Sequence, residues 1–91
     1  MKISIKLALT MYALSCRGLQ ELDAIFRSVN PNTSFEVERA RKWLRGVASP
    51  RDARLFDDWA TVIKIEDGGC WIVSSSISDF SEKIIEKFRS R

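Results

Sequence analysis

Histidine is absent from the 91 residues of this chain. With it go the commonest general base, the usual activator of a serine or cysteine nucleophile, and the commonest metal ligand. Cysteine is scarce: Cys16 and Cys70 stand far apart, with no further cysteine to complete a ligand set, so a zinc site is excluded. The two read as small buried thiols in a reduced compartment, with a disulfide between them left open. Long apolar runs are also missing, and no stretch approaches the ~20 residues of a membrane span. The basic start and apolar stretch that end at Ser15-Cys16 have the outline of a lipoprotein signal, but Thr10 and Tyr12 interrupt the run and no flexible tether follows. The expectation is a cytoplasmic protein with no membrane partner.

A chain this short has one core and no volume to spare for a deep catalytic pocket. Asp57-Asp58 has no histidine or cysteine beside it and reads as a solvated acidic edge, while Ser74-Ser75-Ser76 lacks a base and reads as a polar loop. These absences argue against an enzyme, a cofactor or a metal.

What remains is helical periodicity. Ile3, Leu7, Met11 and Leu14 recur at steps of three and four, as do Leu19, Leu22, Ile25, Phe26 and Val29. Asn30-Pro31-Asn32 is a turn signal. Thr33 with Glu36 predicts a capping box that opens a third helix, and Gly46 predicts its end. Ser49-Pro50 predicts the start of a fourth helix, whose core stripe is Leu55, Trp59, Val62 and Ile63. Cys70-Trp71-Ile72-Val73 is too short to classify by period. Asp79 with Glu82 predicts a last helix lined by Phe80, Ile84, Ile85 and Phe88. The expectation is an all-α single domain of five helices, at about 4–15, 19–29, 34–45, 51–63 and 80–89.

On the third helix, Val37, Ala40, Trp43 and Leu44 fall on one side, and Glu38, Arg41, Lys42 and Arg45 on the other. The outward side is mostly cationic, and Glu38 is spaced to pair with Lys42. Arg51 and Arg54, at the next helix start, stand where a phosphate backbone would be met. Short helix, turn and basic helix in succession is the helix-turn-helix layout, which sets its second helix in the DNA major groove.

The segment of about residues 19–65 resembles the phage-repressor-like (XRE, lambda-repressor-like) helix-turn-helix family. The resemblance rests on Arg41-Lys42-Trp43-Leu44-Arg45-Gly46, then Ser49-Pro50, then Trp59-Ala60-Thr61-Val62-Ile63. It implies that Val37, Glu38, Arg41, Lys42 and Arg45 face the groove and that Ala40 and Leu44 face the core. The expected function is sequence-specific binding of double-stranded DNA as a transcription regulator, or as the DNA-binding domain of one. A homodimer is a further expectation, because one helix covers too few base pairs for useful specificity, and Phe80, Ile84, Ile85 and Phe88 are either its surface or packing on the domain's own core. The alternative is a protein-interaction module of the same fold that presents Trp71 and the last helix to a protein partner and does not bind DNA.

Overall fold

The computed structural model describes residues 2–89. All its elements are helices: α1 (Lys2–Ala13), α2 (Leu19–Val29), α3 (Val37–Leu44), α4 (Ala53–Val62), α5 (Gly69–Ser74) and α6 (Ile77–Arg89). No strand occurs among the described residues. The additional helix is α5, formed by the segment that periodicity left unclassified.

The core runs through all six helices and joins Leu7, Leu22, Phe26, Trp43, Trp59, Ile72 and Phe80 to Phe35, which precedes α3. Its aromatic rings meet in pairs. Phe26 stacks on Phe35 at 4.6 Å, Phe35 meets Trp43 edge-on at 6.0 Å, and Trp59 meets Phe80 edge-on at 6.2 Å. These are the offset and T-shaped contacts that the ring quadrupole favours. Helix α1 lies against α3 and α6, while α4 packs on α2 and α5.

Three helices end alike. At the end of α3, Gly46 takes φ +77°, Gly46 N–H donates to Trp43 O, and Val47 N–H donates to Lys42 O. This pair of bonds is a Schellman motif, and Gly46 enters its left-handed residue without steric penalty. The same bonds close α1 at Ser15 (φ +58°) and α4 at Lys64 (φ +59°), where a side chain must bear that conformation.

Helix α2 begins at Leu19 as expected, but the starts of α3, α4 and α6 depart from expectation. The Thr33–Glu36 capping box does not form: α3 begins at Val37, and Glu36 makes no side-chain cap bond. Thr33 Oγ1 instead accepts from Phe35 N and donates to Asp58 Oδ2 at 2.7 Å. Helix α4 starts after Asp52, whose carboxylate accepts from Arg54 N, so Ser49 and Pro50 lie in the preceding loop. Ser76, not Asp79, caps α6, its hydroxyl accepting from Asp79 N. In each case several residues could serve as the cap, and tertiary packing selects the one that fits.

The core also holds two polar residues of α1. Lys6 is fully buried, and its ammonium donates to the carbonyls of Ile72 (2.7 Å) and Ser75 (2.6 Å) at the end of α5. There it meets the negative end of the helix dipole and lies 5.7 Å from the centre of the Phe80 ring, a cation–π distance. Thr10 is fully buried as well; it donates to Lys6 O and accepts from the indole N–H of Trp59, both at 2.8 Å.

Candidate nucleic-acid interface

The inward side of α3 is occupied by Ala40 and Trp43, both buried, with Leu44 half-buried at the edge of the core. Helical spacing therefore turns Glu38, Arg41, Lys42 and Arg45 outward, and all four are exposed. Val37 is half-buried, at the margin between the two sides. Arg51 and Arg54 are exposed beside the start of α4.

Pairing within this face differs from expectation. Glu38 pairs with Arg41 at 3.8 Å rather than with Lys42, and Glu36 pairs with Arg39 at 3.9 Å. Both pairs are exposed and long, so they add little stability and leave the guanidinium groups able to exchange partners. Arg54 is held more closely. Its guanidinium reaches Asp52 at 3.2 Å, and its amide donates to the same carboxylate. The Arg54 side chain first, and its amide second, hold the Asp52 carboxyl below its ordinary pKa.

Arg39, Lys42 and Arg51 line a groove of about 570 Å³ between α3 and the loop that leads to α4, with Trp43, Pro50 and Leu55 among its apolar lining. Arg41 and Arg45 do not line it. Arg39 is one of the six basic residues between positions 39 and 54 but was not among those expected to meet DNA. The signal that marks it is its place three residues before Lys42, on the same flank of the helix.

The long connection at 30–36 is fixed by Asp58, which accepts from Asn30 Nδ2 at 3.1 and 3.2 Å and from Thr33 Oγ1. Asn30 also folds the connection onto itself, its Oδ1 accepting from Asn32 N in an Asx turn. Arg27 anchors the far end through a bond to Phe35 O. Asp57, next to Asp58 in α4, accepts from Gly69 N, which joins α4 to the start of α5. Asp57 is exposed, as expected of an acidic edge, whereas Asp58 is half-buried and ties α4 to the connection before α3.

Of the two roles open to the last helix, Phe80 and Ile84 take the packing role and are buried in the domain's own core. Ile85 is exposed and Phe88 half-buried, and they line a groove with Tyr12, which is 85% exposed. Trp71 is half-buried and stacks on Phe80 at 5.5 Å. Both cysteines are free, with Cys16 half-buried and Cys70 exposed, so Cys70 is not the buried thiol that was expected.

No helix among the described residues is long and apolar enough to cross a membrane, and none of their His, Cys, Asp and Glu side chains group as metal ligands. Comparison with known protein families, with characterised proteins and with solved structures returns no match.

Proposed function

We propose that this domain binds double-stranded DNA in the manner of the repressor-like helix-turn-helix proteins that residues 19–65 resemble, with α3 in the major groove. One observation carries the reading: Arg41, Lys42 and Arg45 are exposed on the side of α3 opposite buried Ala40 and Trp43, with Arg51 and Arg54 exposed nearby. A rigid helix with a cationic outer face can approach phosphates without first unfolding or losing core contacts. On this reading Val37, Glu38, Arg41 and Arg45 meet base edges, and Arg51 and Arg54 meet the backbone. Regulation of transcription is the role such a reader would serve, as a dimer if two half-sites are occupied.

The test is a titration against random-sequence duplex DNA at two or more salt concentrations. Three to five phosphate contacts per subunit predict a slope of log affinity against log salt of about −3 to −4.5. Absence of duplex binding at low salt would overturn the proposal. A second reading, a protein-interaction module, draws on the Tyr12, Ile85 and Phe88 groove. It gains support if the duplex is not bound while Tyr12→Ala and Ile85→Ala abolish capture of a defined protein partner.

A further inference from the structure

Beyond the face of α3 that turns toward base edges, the groove between α3 and the loop before α4 carries three cations of its own, Arg39, Lys42 and Arg51. Resting on the DNA reading above, we infer that this groove seats a stretch of the DNA sugar-phosphate backbone. Lys42 is then a phosphate contact rather than a base reader, and Arg39 becomes part of the interface.

Three features of the groove carry the inference. Its cations come from two elements, α3 and the loop, so they flank a channel rather than form a stripe on one helix. The one acid in its lining, Asp52, is engaged by the Arg54 side chain and amide, which offsets its charge. The lining also includes exposed Ala48 and half-buried Pro50, with the small accessible remainder of buried Trp43 and Leu55. Apolar surface flanked by cations complements a chain of apolar deoxyriboses and anionic phosphates, whereas base edges present hydrogen-bonding groups.

Helical geometry separates the roles. At about 100° per residue, Glu38, Arg41 and Arg45 lie within an arc of about 60°, while Lys42 and Arg39 lie progressively further round, on the groove side. The long reach of lysine and arginine lets both bring charge to a phosphate while their stems cover the groove wall.

The experiment selects bound sequences from a random duplex pool and measures salt dependence, using the full chain, Arg39→Ala/Lys42→Ala, Lys42→Arg and Arg41→Ala. The double variant is expected to weaken all duplexes alike, make the salt slope shallower by about two, and recover the same preferred sequence. Lys42→Arg should keep the wild-type slope, because it keeps the charge. Arg41→Ala should alter the preferred sequence at one position. All these side chains are exposed, so thermal melting should stay at the wild-type value and folding does not confound the result. An unchanged slope in the double variant, or a changed preferred sequence, overturns the groove assignment while the DNA reading stands. Failure of the wild-type chain to bind any duplex at low salt overturns both.

Discussion

The indole N–H of Trp59 donates to the hydroxyl of Thr10 across 49 residues of sequence, and that hydroxyl in turn donates to Lys6 O. This chain of bonds joins α4 to α1 inside the core. Thr10→Val keeps the shape but leaves the indole without an acceptor. The expected loss is about 1–3 kcal/mol of stability, measured by urea unfolding, with an altered Trp59 environment in fluorescence. Unchanged stability would mean that another acceptor receives the hydrogen bond of the indole N–H.

Lys6 is expected to be as consequential, although lysine is ordinarily a surface residue. Lys6→Met keeps the apolar stem and removes the donor, leaving the carbonyls of Ile72 and Ser75 short of a partner. A loss of about 1–3 kcal/mol is predicted. Amide exchange should rise first in α5, which is short and takes this cap from α1. Exchange that rises equally throughout the domain would argue against a local role.

Gly69 illustrates a backbone requirement. A Cβ at this position would stand 2.8 Å from the Asp57 amide nitrogen and from the Phe56 carbonyl carbon, closer than packed atoms allow. Gly69→Ala must therefore push α5 away from α4, at a predicted cost of about 1–3 kcal/mol in thermal or urea unfolding. A neutral result would show that the junction of α4 and α5 yields easily.

Asp58 links stability to the proposed activity. Asp58→Ala removes the acceptor shared by Asn30 and Thr33, at a predicted cost of about 1–3 kcal/mol, and frees the connection that sets α3 against α2. Duplex affinity, where present, should fall even though Asp58 lies off the cationic face. Affinity unchanged in a destabilised variant would show that α3 is oriented by the core alone.

The two thiols should differ in reactivity. Burial, and secondly the charge of Glu21, push the Cys16 thiol above its ordinary pKa, while Cys70 is exposed. Iodoacetamide near pH 8 should alkylate Cys70 well before Cys16, and denaturant should narrow the difference. The linkage has a sign. Because the folded pKa is raised, the contribution of the neutral Cys16 thiol is complete below the pKa of the unfolded chain and is lost as pH rises through the folded value. Equal labelling rates in the folded protein would contradict the burial of Cys16.

Sequence by itself determined the helical class and the side of α3 that faces outward. Both follow from local rules: apolar residues at steps of three and four must share a buried stripe, which leaves Arg41, Lys42 and Arg45 outside. Gly46 as the terminator of α3 was legible for the same reason, since the left-handed cap is a property of one residue and its neighbours. Tertiary structure alone decided the rest. Lys6 and Thr10 look like interruptions of an apolar helix until residues 72, 75 and 59 arrive to accept or donate. Thr33 offers an equally good cap to α3 or a bond to Asp58, and only the packing of α4 chooses. Phe80, Ile84, Ile85 and Phe88 share a helical stripe in the sequence, yet the first two are in the core and Ile85 is exposed. The physical reason is common to all of these: a hydrogen-bonding group or apolar side chain is satisfied by whichever partner folding brings within reach, and that partner lies tens of residues away in the chain.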